Sequence, residues 1–238
     1  MSVLITGAAH RIGRAMALKF HEAGHNLLLH CNQSAEAAET LAAKLNNRRQ
    51  NSARVVVLDL RETDNLQMFA DRCLNYTDTL IALINNAAVF YPTPFAEVTV
   101  EQFDGLLNVN LRAPYFLAKT FAAKLKGGSI INIIDIYAEK PLKDFSAYSM
   151  SKAGLAMMTR SLALELAPDI RVNGISPGAI LWPEGIELTH DIGDKVLADI
   201  PGGVLGDPND IANAALFLVD QTNYITGQII SIDGGSSI

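Results

Sequence analysis

Seven short apolar runs, each followed by an amphipathic stretch rich in Ala and Leu, constrain this chain more than any other feature. The runs fall near residues 2–6, 26–31, 54–59, 80–85, 129–134, 171–176 and 228–232. They are almost continuously apolar rather than alternating, as strands buried on both faces must be. The segments between them, 12–24, 34–48, 63–76, 99–124, 146–167 and 208–220, carry a helical pattern, with Gly24 and Pro168 as stop signals and Thr99 and Asp207 as N-caps. Strand, crossover helix and parallel strand, repeated with right-handed connections, predict an α/β fold: a Rossmann-type doubly wound parallel sheet of about seven strands with helices on both faces. No Pro/Gly/Ser-rich linker divides the 238 residues, so 1–238 reads as a single domain.

Ligands of such sheets sit beyond the carboxyl ends of the strands, and polar residues follow the apolar runs there. Thr6, His30, Asp59, Asn85, Asp135 and Ser176 are therefore expected to border one crevice. The least regular segment, 178–206, holds two Pro and several Gly and is long for a simple connection; it reads as a substrate lid. With 19 Lys+Arg against 25 Asp+Glu the formal charge is −6, and no basic run beyond Arg48–Arg49 offers a footprint for nucleic acid or an anionic membrane. No stretch approaches the roughly 20 apolar residues of a membrane span. Cys31 and Cys73 are too few for a disulfide scaffold, and neither lies in a C-x-x-C or metal-ligand spacing. A reducing, cytoplasmic setting without a metal is expected.

The first βα turn reads T-G-x-x-x-R-x-G, Thr6 to Gly13, placing backbone N–H groups and a helix N-terminus where a pyrophosphate can lie. Arg11 stands where a middle glycine is common, and its guanidinium can contact phosphate or an electron-rich ring. An NAD site usually ends the second strand with a carboxylate for the ribose hydroxyls. Here "LLLHCNQSAE" supplies His30, Asn32, Gln33 and Ser34 instead, and together with His10 and Arg11 this leans toward NADPH.

The ordered set "TGAAHRIG", Asp59-Leu60, "NNAA" at 85–88, Asn110, the strand ending at Asp135, the Y-x-x-x-K pair Tyr148/Lys152 and "SPG" at 176–178 resembles the short-chain dehydrogenase/reductase family over essentially the whole chain. The resemblance implies that Tyr148 donates or accepts a proton, Lys152 holds the nicotinamide ribose, and Asn110 supports a water relay. It also implies cofactor contacts from Gly7, His10, Arg11, Ile12, Gly13, His30, Asn32, Ser34, Asp59, Leu60, Asn86, Ala87, Pro177 and Gly178. Positions i and i+4 share a helix face, and a nearby ammonium favours phenolate, so Lys152 is expected to lower the pKa of Tyr148.

Most members carry Ser thirteen positions before the tyrosine; this chain carries Asp135. A carboxylate opposes a developing oxyanion, which disfavours ketone reduction, but it suits the ring N–H and amino groups of a nitrogen heterocycle. That substitution, with Arg11, "FYPTPF" at 90–95, the N-x-R-A-P-Y-F-L run from Asn110 and "YITG…DGG", is similar to the pteridine reductase branch. The branch implies hydride transfer from NADPH to a C=N carbon of a dihydropterin, with Phe90 stacking on the pterin and Arg11, Asp135, Tyr148 and Trp182 around it. Gln33 and Ala88 depart from the Arg and Ser of its protozoan members, and a long insertion before Asn110 is missing, so the chain resembles a compact bacterial-type relative. A homotetramer is implied as well. Two other readings stay open: reduction of a 3-oxoacyl thioester or another carbonyl, and a non-catalytic NADP(H)-binding sensor.

Overall fold

A computed structural model describes residues 1–77, 79–125, 127–180 and 196–238. The strands are β1 (Ser2–Ile5), β2 (Asn26–Cys31), β3 (Ala53–Val57), β4 (Leu80–Asn85), β5 (Ser129–Ile133), β6 (Arg171–Pro177) and β7 (Ile229–Ile232). The helices are α1 (Arg11–Glu22), α2 (Ala35–Arg48), α3 (Leu66–Leu74), α4 (Val100–Leu107), α5 (Ala113–Phe121), α6 (Ser146–Glu165) and α7 (Pro208–Asp220). All seven strands pair parallel in the order β3-β2-β1-β4-β5-β6-β7. The order reverses between β1 and β4, which places the ligand crevice at their carboxyl ends.

Side chains alternate across the sheet and divide the core in two. Val3 and Ile5 face α1, α2 and α7 through Met16, Phe20, Leu41, Leu45, Ile211 and Leu218. Leu4, between them in sequence, faces α3, α5 and α6 through Phe69, Phe121, Leu155 and Leu162. Each strand thus needs apolar residues at consecutive positions, which is why the runs do not alternate.

The expected punctuation is present. Gly24 follows α1 at φ +96°, Thr99 and Gln102 close a capping box on α4, and Asp207 and Asp210 close another on α7 with Pro208 behind the cap. The helical run expected over 99–124 is continuous from 100 to 124 but is not regular α throughout. A π turn occupies Asn108–Arg112 between α4 and α5, and a 3-10 turn ends the run at Ala122–Lys124. Pro114 has no N–H for the carbonyl of Asn110, so a regular α ladder cannot pass that point.

Candidate active site

The βα turn is built by close approach. Thr6 Oγ1 accepts from the backbone N–H groups of Asn86 and Ala87, both at 2.9 Å, and Asn86 Nδ2 donates to the carbonyls of Thr6 at 2.9 Å and Gly7 at 3.1 Å. These bonds tie β1 to the end of β4 across the switch point. A Cβ on Gly13 would lie 2.1 Å from the Gly7 carbonyl oxygen, so only glycine lets α1 start this close to the turn. Arg11 has φ +47°, a left-handed conformation that a middle glycine would adopt freely and that costs an arginine about 1–2 kcal/mol. Its Nη2 donates to the carbonyl of Ile180 at 3.0 Å, holding the turn against the segment after β6.

A cavity of about 590 Å³ opens over this turn. Gly7, His10, Arg11, Ile12, Gly13, His30, Asn32, Asp59, Leu60, Asn86 and Ala87 all line it, bringing together most of the expected cofactor residues. Ser34 lies in an adjoining pocket with His10 and Asn32, whereas Pro177 and Gly178 line neither. Gly178 instead donates its N–H to the Ile232 carbonyl at 2.9 Å. Of the six residues expected at the crevice border, Thr6, Asn85 and Ser176 are buried within the sheet ends and serve the scaffold. Asn85, for example, donates to Asn132 Oδ1 at 2.8 Å. His30 lines the cavity yet is almost fully buried: its Nδ1 accepts from Gly7 N at 3.2 Å and its Nε2 donates to Leu58 O at 3.0 Å. Burial pushes its pKa down to about 4, which keeps the ring neutral and the tautomer fixed.

Sequence reasoning missed five lining residues, Arg61, Val89, Tyr91, Gly105 and Val109. Arg61 could have been found from its place two residues after Asp59. Its guanidinium grips that carboxylate through Nε and Nη2 and holds the Asp59 pKa down. Tyr91 donates to the Gln102 carbonyl at 2.7 Å, and only a glycine at 105 leaves room for its hydroxyl.

Asp135, Tyr148 and Lys152 meet where β5 ends. Asp135 caps a short 3-10 turn, with Oδ1 accepting from Tyr137 N at 3.0 Å, while Oδ2 accepts from Tyr148 Oη at 2.6 Å. The acid is therefore both cap and partner of the tyrosine. Burial raises the pKa of Asp135, opposed by the hydrogen bonds from Tyr148 and Tyr137 N and by the Lys152 charge. Lys152 Nζ is buried and donates to the Ile133 carbonyl at 2.9 Å; burial pushes its pKa down to about 8. The expected lowering of the Tyr148 pKa is corrected: burial, then the Asp135 charge and hydrogen bond, push the phenol up. The ammonium sits 5.8 Å from the ring centroid and spends its hydrogen bond on the strand, not on the hydroxyl.

Asn110 is buried, with Oδ1 accepting from Val89 N at 2.9 Å and Nδ2 donating to Val89 O at 3.0 Å and Ser151 Oγ at 3.1 Å. It pins the chain leading to Phe90 against α6, one turn from Tyr148. Phe90 stacks on Phe145 at 4.5 Å between centroids and meets Tyr148 edge-on at 4.7 Å. One face of Phe90 is thus taken by Phe145, and about half of the residue stays exposed. Trp182 lies outside the described residues.

A family model described as enoyl-(acyl carrier protein) reductase matches residues 7–237. The chain belongs to the short-chain dehydrogenase/reductase family. Pteridine reductase 1 of Leishmania tarentolae is 35% identical, covering 99% of this chain and 96% of that protein. A 3-oxoacyl-[acyl-carrier-protein] reductase of Aquifex aeolicus is 31% identical over 98% and 95%, and 3beta-hydroxysteroid dehydrogenase 1 of Eggerthella lenta 29% over 100% and 94%. The alignment to the Leishmania protein runs over 282 positions, longer than this chain, which accords with the expected shorter form.

As a short-chain dehydrogenase/reductase the protein is an oxidoreductase that uses a nicotinamide cofactor. The site fits one. The N–H groups at the start of α1 border the glycine turn, and Asp59, held ionised by Arg61, lies in the same cavity. Among the described residues no cluster of three or more His, Cys, Asp or Glu could hold a metal, and no helix is long and apolar enough to cross a membrane.

Proposed function

We propose that the protein is an NADPH-dependent reductase of dihydropterins, acting in the cytoplasm as one domain of residues 1–238; of the lid expected over 178–206, residues 181–195 lie outside the described residues. The observation that carries this reading is the 2.6 Å hydrogen bond from Tyr148 to Asp135, a carboxylate whose pKa is raised by burial. When bound, NADPH supplies the hydride for the C=N carbon. The ring nitrogen needs one proton. Tyr148 keeps its own in the bond to Asp135 Oδ2, and burial favours uptake of a second proton from solvent by Asp135, which gives it up more readily than the phenol, whose own pKa is pushed up. The ionised carboxylate can also accept from the ring N–H and amino groups, which orients a pterin. Phe90 offers its exposed surface to a flat ring, and Arg11 lines the cavity over the turn. The likeness to the Leishmania pteridine reductase supports the same reading.

Reduction of a 3-oxoacyl thioester is the second reading, favoured by the likeness to the Aquifex protein. It would set the Asp135 carboxylate against a developing oxyanion, where a donor is needed. Purified protein, with NADPH or NADH, is to be mixed with 7,8-dihydrobiopterin, 7,8-dihydromonapterin, dihydrofolate and a 3-oxoacyl thioester, following nucleotide oxidation, with Asp135→Ser alongside. The expected result is turnover of a dihydropterin that falls about 100-fold or more in the variant. Turnover of the thioester alone, kept or improved by Asp135→Ser, would overturn the assignment, and tight cofactor binding with no turnover would leave only a sensor.

A further inference from the structure

We propose that the same site reduces cationic C=N bonds outside the pterins, taking a cyclic iminium ion on a flat bicyclic frame between Asp135 and the exposed surface of Phe90. The inference shares with the reading above the placing of Asp135 against the substrate, and it needs no pterin. Tyr148 joins the two halves of the site: its hydroxyl donates to Asp135 Oδ2 at 2.6 Å, and its ring meets Phe90 edge-on at 4.7 Å. A ring laid on Phe90 is therefore one side chain away from a carboxylate. Asp135 is partly exposed, and each of its oxygens accepts one protein hydrogen bond, which leaves lone pairs for a ligand. Tyr137 and Phe145 pack against the same cluster as Tyr148. Burial, then the charges of Asp135 and Asp199, push the Tyr137 phenol up, so two carboxylates act on this one aromatic group.

Hydride transfer separates two classes of substrate by charge. A ketone starts neutral and develops an oxyanion, which a carboxylate opposes. An iminium ion starts with one positive charge and ends neutral, and a carboxylate beside an aromatic face holds such a cation. Among the described residues Lys152 is the cation whose charge acts on Asp135. It is buried, and its Nζ donates to the Ile133 carbonyl at 2.9 Å, so it is spent on the strand rather than turned toward a ligand. A bound cation also favours the ionised form of Asp135. The step balances without a proton when the nitrogen is alkylated. The hydride of a reduced nicotinamide forms the new C–H bond at the C=N carbon, the π pair becomes the lone pair of a neutral tertiary amine, and the nicotinamide is left oxidised.

The probes are N-methyl-3,4-dihydroisoquinolinium, a permanent cation, and 1-tetralone, a neutral ketone on nearly the same bicyclic frame. Calorimetry without nucleotide should give the cation a Kd about tenfold or more below that of the ketone, and Asp135→Asn should remove most of the difference. Asparagine keeps an acceptor for the Tyr137 N–H that Asp135 caps, and NADPH binding by the variant checks that it is folded. With NADPH present, wild type should oxidise nucleotide on the cation faster than a protein-free control, and should leave 1-tetralone unreduced. In Asp135→Asn, kcat/KM on the cation should fall about tenfold or more. Equal affinity for the two probes, reduction of 1-tetralone alone, or a folded Asp135→Asn that binds and reduces the cation like wild type would each overturn the proposal. Should the variant not fold, the contrast between the probes in wild type still decides. Turnover of a dihydropterin without the cation would sink this inference and spare the pterin reading, whereas turnover of the cation without any dihydropterin would do the reverse.

Discussion

His30 shows how one residue serves the site while buried beneath it. Its two ring nitrogens join the Gly7 turn to the end of β3, so the imidazole holds the floor of the cofactor cavity rather than a ligand. The arrangement requires a neutral ring, because Nδ1 must accept. Burial enforces this by pushing the pKa down to about 4, against the opposing Leu58 carbonyl and Asp59 charge. The unfolded chain binds this proton near pH 6.5 and the folded protein only near about 4. Stability from His30 is therefore complete above about pH 6.5 and is lost progressively as pH falls toward 4, by about 3 kcal/mol in all. Melting temperatures across this window should drop steeply in wild type. In His30→Gln the curve should start lower at neutral pH, for want of the hydrogen bonds, but fall less. An equally steep fall in the variant would place the acid sensitivity elsewhere.

The elements were legible in the sequence where one kind of periodicity governed them. Continuous apolar runs gave all seven strands, because a parallel sheet needs both faces of each strand buried, and the caps at Thr99 and Asp207 were legible as local chemistry. The π turn within 99–124 was not, because apolar periodicity continues on both sides of it while Pro114 removes a single donor. The site was legible by residue type and not by role: the bond from Tyr148 to Asp135 and the burial of Lys152 depend on packing between β5 and α6. The β1–α1 junction is the most tightly determined of these joints. Gly13→Ala would drive a Cβ into the Gly7 carbonyl, a backbone atom that cannot swing aside. Overpacking of this kind costs about 1–3 kcal/mol, and the strain falls on the turn meant for the pyrophosphate. A lowered melting temperature and dinucleotide binding weakened about tenfold or more are expected by calorimetry. Unchanged binding would mean that the turn is not the phosphate cradle.

The five inner strands are buried almost throughout, whereas the edge strands β3 and β7 are partly exposed, and large apolar side chains also remain exposed on a helix. Met150, Met157 and Leu164 on α6 are 51%, 58% and 83% exposed. They recur every seven residues, a spacing that drifts only about 20° around a helix, so the three form one line down its outer face. Exposed Ala153 and Ser161 beside that line are small enough to let a second helix approach. On α5, which packs on the same side of the sheet, Tyr115 is exposed as well. An exposed apolar line of this kind, interrupted by Arg160 and Ser161, would suit contact with a second copy related by a two-fold axis. A homotetramer with dihedral symmetry is the assembly expected of such a chain, two-fold contacts along α6 being repeated about a second axis. Light scattering at micromolar concentration should then return about four times the 25.7 kDa chain mass. Met157→Glu places a charge at the centre of the line. It should lower that mass to a dimer or monomer while leaving the far-UV spectrum unchanged, since the side chain is exposed within one subunit. A wild-type mass equal to one chain would show that the α6 face is open, and a tetramer untouched by Met157→Glu would move the interface to another face.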